Sequence, residues 1–194
     1  MNKIGCLLLL MLFVNELFAQ SRDTSWKDLT PVETSFFQLQ VPSNSLELGS
    51  LGDVVAKSYD ATSAYFPDSF NMAPILVGLF VMNQPAFNLE EARQRCLHGY
   101  RTNPDRIFPK DFTEGQQKIK LSSGQDGYIL NTRFYRETKK LNQSRFDLVV
   151  YSDKAMQGYL VTVSIQYNDP TYAFEKDFHL EKFARKLFSY FVLK

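Results

Sequence analysis

The stretch SIQYNDPTYAFEKDFH, residues 164–179, crowds Asp169, Glu175, Asp177 and His179 into its second half. On a helix Glu175 and His179 are four apart and share a face. A carboxylate and an imidazole so placed could hold a metal ion. The competing explanation is a solvated helix start, and it outweighs the metal. Asp169 before Pro170 is a good N-cap and first-turn pair. Glu175 and Asp177 then sit near the positive end of a helix dipole. The chain has two histidines, His98 and His179, and no H-x-x-x-H or C-x-x-C spacing. No D-x-D-x-D-G calcium loop is present either. No metal and no cofactor is expected.

Nucleophilic catalysis needs an activated Ser or Cys. No G-x-S-x-G elbow occurs. Cys96 lies two residues before His98, and positions i and i+2 of a helix point about 200° apart. His98 is therefore badly placed as a base for Cys96, which reads as a core cysteine; a reactive thiol would need that helix face to be exposed. Asp53, Asp60, Asp68, Asp126 and Asp169 lie in or near loops. Two of them could meet in space as an acid/base pair, although each also suits a turn or cap. Gly49-Ser50-Leu51-Gly52 has no following Lys-Ser/Thr and is no phosphate loop. No catalytic residue is assigned.

Aromatic residues outside the periodic segments are harder to explain. The chain holds 17 Phe and 10 Tyr. Tyr65, Phe66, Phe70 and Met72 fall in AYFPDSFNMAP, and Phe108 and Phe112 fall in RTNPDRIFPKDF. Aromatic and Arg side chains are common interface anchors, and loops on a rigid sheet often carry function. The candidate partner surface is therefore residues 61–73 and 101–112, with Arg101 and Arg106 at its rim. The alternative is that these rings fold back over the sheet edges.

The N-terminus bears on where such a surface would work. MNKIGCLLLLMLFVNELFAQ has a positive Lys3, then an apolar run from Ile4 to Val14, then Ala19 as a small residue at a cut. This reads as a secretory signal over 1–19. Cys6 lies at the start of the apolar run, whereas a lipid-bearing cysteine should follow it, and an uncleaved anchor is the other alternative. The remaining chain of about 175 residues suits one domain. Net charge is +1, so nothing points to nucleic acid. Only Cys96 is left after cleavage, so a packed core must replace disulfides. A periplasmic or secreted protein is expected.

The elements that would position these residues come from periodicity. Residues 20–34 read as a polar leader and 35–194 as a single domain. SFFQLQV alternates as a half-buried strand closed by Pro42, and residues 43–53 read as a loop. Val54 to Ser58 is a short strand, and ILVGLFVM, Ile75 to Met82, a central one covered on both faces. A helix follows, with Asn88 as N-cap, Glu91 completing a capping box and Phe87 at the staple position. Leu89, Ala92, Cys96 and Tyr100 share one stripe. An antiparallel meander then runs from Gln117 to Tyr167. Leu180, Phe183, Ala184, Leu187 and Phe191 repeat at helical spacing, with Glu181 and Arg185 paired on the wet face. The fold class expected is α+β: an α/β/α sandwich with one mainly antiparallel sheet of about six strands, packed helices and a C-terminal helix.

FFQLQVP, the NLEEARQ helix after a central strand, SSGQDGYIL and YLVTVSIQY before a closing amphipathic helix resemble the PsbP-like superfamily. That fold also occurs in a yeast Ran-binding import factor and in bacterial envelope proteins. The resemblance covers nearly the whole chain after residue 34. It rests on architecture, since no catalytic residues are common to the family. It implies a non-enzymatic protein that binds or supports a protein partner, often in a membrane-associated complex. A periplasmic hydrolase using loop carboxylates and a small-molecule or lipid carrier remain as alternatives. Oligomeric state is not set by anything in the chain.

Overall fold

The computed structural model describes Trp26 and residues 28–33, 37–42, 46–51, 54–59, 75–82, 86–110, 114–167 and 174–194. In chain order the elements are β1 (Leu29–Glu33), β2 (Phe37–Pro42), β3 (Leu46–Leu51), β4 (Val54–Tyr59), β5 (Ile75–Val81) and α1 (Leu89–Arg101). They continue with β6 (Arg106–Ile107), β7 (Gly115–Lys120), β8 (Asp126–Arg136), β9 (Leu141–Ser152), β10 (Gln157–Tyr167), α2 (Phe174–Phe188) and β11 (Phe191–Leu193). The expected signal over 1–19 and the Asp169-Pro170 cap lie outside the described residues. Glu175, Asp177 and His179 lie in the first turns of α2. Among the described residues, no helix is long and apolar enough to cross a membrane.

Eight strands form the main sheet in the order β3-β4-β5-β10-β9-β8-β6, with β7 alongside β8. β7 pairs with the first half of β8 and β6 with its last two residues, so two short strands share one edge. Every pairing between described strands is antiparallel.

The two faces of this sheet follow from side-chain alternation. Phe146, Leu148 and Val150 of β9 and Val161, Val163 and Ile165 of β10 face α2, whose Leu180, Phe183, Ala184 and Leu187 pack on them. Leu130, Val149 and Tyr151 face the other way, against Ala92, Cys96, Leu97 and Tyr100 of α1. A sheet covered on both sides needs apolar residues of both parities, which is why DLVVY reads as a continuous run. Each fully buried Phe, Leu or Val contributes roughly 1.5–3 kcal/mol. The fold is α+β, with helices on both faces of a mainly antiparallel sheet.

Several local details differ from the sequence expectations. The SFFQLQV strand does not join the main sheet. As β2 it pairs with β1 and β11 in a separate three-stranded sheet, whose Phe37, Leu39 and Val41 are buried on the α2 side. The stretch read as a leader supplies β1, and Trp26 packs 5.2 Å from Phe183. Phe191 lies in β11 opposite Leu39, not in the helix. Helical spacing places it on the Leu187 stripe, but strand pairing claims it. Residues 46–51, expected in a loop, are an edge strand with a bulge between Glu47 and Gly49, and glycine is a usual bulge residue.

The start of α1 follows its signature closely. Asn88 Oδ1 accepts from Glu91 N at 2.8 Å. Glu91 Oε2 accepts from Phe87 N at 2.8 Å, one residue before the expected partner. Phe87 is 71% exposed and forms no staple. α1 lies close to the sheet where Gly158 faces Ala92: a Cβ on Gly158 would stand 3.3 Å from the Ala92 Cβ and 2.5 Å from Met82 Sδ.

The β9–β10 turn holds Met156 at φ 50, in the left-handed region. An L-residue there costs roughly 1–2 kcal/mol, and glycine avoids most of that despite its larger entropy loss. Met156 is also 56% exposed, so its side chain gives little packing back. Met156→Gly is expected to stabilise the protein by about 0.5–1 kcal/mol, read as a higher urea midpoint at unchanged slope.

Candidate functional site

Polar chemistry is concentrated where the C-terminal end of α1 meets β9. Arg145 and Asp147 are two apart on β9 and so lie on the same face as Val149 and Tyr151. Register sets Asp147 opposite Thr162 of β10 and Leu130 of β8. Asp147 is fully buried. Arg145 Nε donates to both of its carboxylate oxygens at 2.7 Å. The Thr162 hydroxyl donates to Oδ1 at 2.6 Å, and the Tyr100 hydroxyl to Oδ2 at 2.5 Å. Arg145 Nη2 also donates to Thr162 Oγ1 at 2.9 Å. α1 delivers one more group, since the Cys96 thiol donates to Tyr100 Oη at 2.8 Å.

Charge and burial make this centre chemically quiet. Burial first, and the nearby Asp147 carboxylate second, push the Cys96 thiol up to about 12. Cys96 therefore stays a thiol at neutral pH, and only the thiolate is a good nucleophile. Burial likewise holds Tyr100 well above the ordinary phenol range. For Arg145, burial opposes the charge, but the Asp147 carboxylate more than offsets it and the guanidinium is held charged more firmly than usual. With three donors on Asp147, the arrangement clamps α1 to the sheet. Among the described residues, no group of three or more His, Cys, Asp and Glu could hold a metal ion.

The residues expected at a partner surface divide three ways. Tyr65, Phe66, Phe70, Met72 and Phe112 lie outside the described residues. Arg106 and Phe108 turn inward. The Arg106 guanidinium carbon stands 5.0 Å from the Tyr100 ring centre and 4.8 Å from that of Phe134, and Phe108 packs 5.8 Å from Phe134. Arg101 remains exposed, with Nη2 at 2.7 Å from Glu114 Oε2. Ile107, between the two anchors, is 51% exposed; strand alternation turns it away from Arg106 and Phe108.

Asp105 fastens this loop to the β8–β9 turn. Its Oδ1 accepts from Thr138 N at 2.6 Å and its Oδ2 from Arg136 Nε at 2.6 Å. Its backbone carbonyl accepts from Glu137 N at 3.0 Å. The Thr138 hydrogen bonds first, and Arg136 after them, hold the Asp105 carboxyl at about 2.

Sequence reasoning missed Tyr100, Arg145, Asp147 and Thr162 as a group. One signal was present: Arg145 and Asp147 share a strand face with Val149 and Tyr151, and the opposite parity is also apolar. A charged pair in a strand apolar on both faces has to be buried and paired.

The fold and this centre define an α/β/α sandwich in which the Asp147 carboxylate of a buried ion pair within β9 also accepts from Tyr100 of α1 and so ties helix to sheet. No family model and no curated protein matches the sequence. Among solved structures the fold recurs in Mog1, the Ran-binding protein of Saccharomyces cerevisiae. The likeness has a TM-score of 0.53 at 9% identity and covers 86% of this chain and 95% of that one. A Mog1 point mutant gives the same TM-score and identity, over 86% of this chain and 96% of that one. LpqN of Mycobacterium tuberculosis, involved in cell envelope biogenesis, is similar at a TM-score of 0.41 and 13% identity, over 86% of this chain and 91% of that one. At 9% identity what is shared with Mog1 is the fold.

Two consequences can be measured. Removing Asp147 leaves the Arg145 charge buried without its partner, so Asp147→Ala should cost about 3–5 kcal/mol in urea unfolding. Replacing both members with apolar residues, Arg145→Met with Asp147→Leu, should recover most of that loss. For Asp105, the folded value lies below the usual 3.8. Its contribution is therefore complete above about pH 4 and is lost as pH falls from about 4 toward 2. Asp105→Asn should flatten that part of the stability–pH curve, followed by thermal unfolding at pH steps.

Proposed function

We propose that this protein is an exported, non-enzymatic binding or accessory protein of the PsbP-like type, acting on a protein partner in the bacterial envelope. The observation that carries the reading is the loop 101–110. Asp105, Arg106 and Phe108 pin it to the sheet from inside, while Ile107 and Arg101 stay on the outside. A loop held in one conformation loses little entropy on binding, and exposed apolar and arginine side chains are typical interface residues. The aromatic segment 61–73 and Phe112 would extend the same surface. The Mog1 fold gives support by analogy, since that protein binds a protein. The segment 1–19 supports export by its pattern.

The chemistry at the α1–β9 junction agrees with this reading over a hydrolase. Asp147 accepts from three donors and the Cys96 thiol is held protonated, so neither is poised as base or nucleophile. Photo-crosslinking in the native envelope tests the proposal. A photoreactive residue at position 107 should give a discrete adduct of higher mass, whereas one at Lys154, exposed in the β9–β10 turn at the opposite end of the main sheet, should not. Ile107→Asp in a chain carrying the crosslinker at position 101 should abolish that adduct. Equal patterns from 107 and 154 would count against the surface.

A further inference from the structure

Two buried polar atoms in the same part of the sheet have no hydrogen-bond partner: Arg106 Nη1 and Thr132 Oγ1. Thr132 is fully buried. It lies on β8 two residues before Phe134, on the same face, and its register partner is Arg145. The Arg106 guanidinium lies over Phe134 and Tyr100, at 4.8 and 5.0 Å. Both residues thus lie beside Phe134 on the α1 face of the sheet. Unsatisfied buried polar atoms are rare in folded proteins, and each calls for an explanation.

The local charges do not balance either. Three arginines meet here: Arg106, Arg136 and Arg145. Asp147 is taken by Arg145 and Asp105 by Arg136. Among the described residues no carboxylate pairs with Arg106, which leaves one half-buried guanidinium with stacked rings in place of a counter-ion. A neutral water could satisfy the two hydrogen-bonding atoms but would leave that charge. Both groups can donate, so the complementary ligand is an acceptor carrying negative charge. We infer that Arg106 and Thr132 form a binding site for the oxyanion group, carboxylate or phosphate, of a small ligand. Tyr100 and Phe134 fix the guanidinium plane, and Arg145 adds positive field behind it. The site does not rest on the partner surface proposed above, since Ile107 points the other way.

The test uses the full chain with inorganic phosphate and, separately, acetate as probes, against sodium chloride at matched ionic strength. Wild type should bind one of the two probes saturably in isothermal titration and show a matching rise in unfolding temperature. Arg106→Gln should weaken binding roughly tenfold or more, the scale of a lost charge-assisted hydrogen bond. Thr132→Val keeps the volume and should weaken it by a smaller factor, whereas Arg101→Gln, on the exposed side, should leave it unchanged. If Arg106→Gln does not fold, Thr132→Val and Arg106→Lys carry the comparison. An unfolding temperature that rises equally in wild type and variants overturns the site, because that is a general salt effect. So does a Thr132→Val protein that binds both probes as wild type does, or a wild type that binds neither.

Discussion

Asp147 is the point on which the layers of this protein depend. It is a carboxylate in a strand whose neighbours are buried on both sides, and such a charge is tolerated only when its partners are in place. Each partner comes from a different direction. Arg145 comes from the same strand, Thr162 from the adjacent strand and Tyr100 from the helix above. Satisfying one carboxylate therefore fixes the depth of β9, the register of β10 and the position of the last turn of α1. The apolar contacts of Ala92, Cys96 and Leu97 would hold the helix near the sheet, but hydrophobic contact is not directional. The hydrogen bonds supply the direction.

The loop after α1 inherits this order. Tyr100, anchored by its hydroxyl, offers its ring to Arg106, and Arg106 and Phe108 share Phe134. Asp105 ties the same loop to the β8–β9 turn. A stretch with two prolines and no periodicity thus becomes a fixed ledge at the sheet edge. Ile107 is exposed because its neighbours on both sides are anchored inward. Recognition by such a ledge would draw on a conformation already formed, the condition under which a modest contact area binds best. The fold shared with Mog1 at 9% identity fits the same physics, because two-sided burial and strand pairing constrain pattern far more than residue identity.

Much of the architecture was legible from the residues. Alternation in YLVTVSIQY, the strand-length apolar run ILVGLFVM, the Asn88 cap and the Leu180–Leu187 stripe each describe a local pattern that the backbone enforces over a few residues, although Phe80 is 37% exposed and the second face of that run is not covered as expected. The α+β class followed from their order. The misplacements share one cause. Phe191 fits a helical stripe and a strand equally well, and only its pairing with Leu39 decides. Phe37, Leu39 and Val41 announce a strand but cannot announce which sheet it joins. Trp26 and β1 look polar and peripheral because their partners, Phe183 and β2, are distant or not yet a strand when the chain is read in order.

The same division holds for the site. Residue types alone established that Cys96 lies on an apolar helix face, that His98 cannot serve it, and that Arg106 and Phe108 stand out in a loop. Those are properties of spacing along one element. That Arg106 and Phe108 turn inward while Ile107 turns outward, and that Tyr100, Asp147, Arg145 and Thr162 converge, required three strands and a helix to be assembled. A buried charge needs its counter-charge within a few ångströms in space, and the chain order places no such limit on where that partner is encoded.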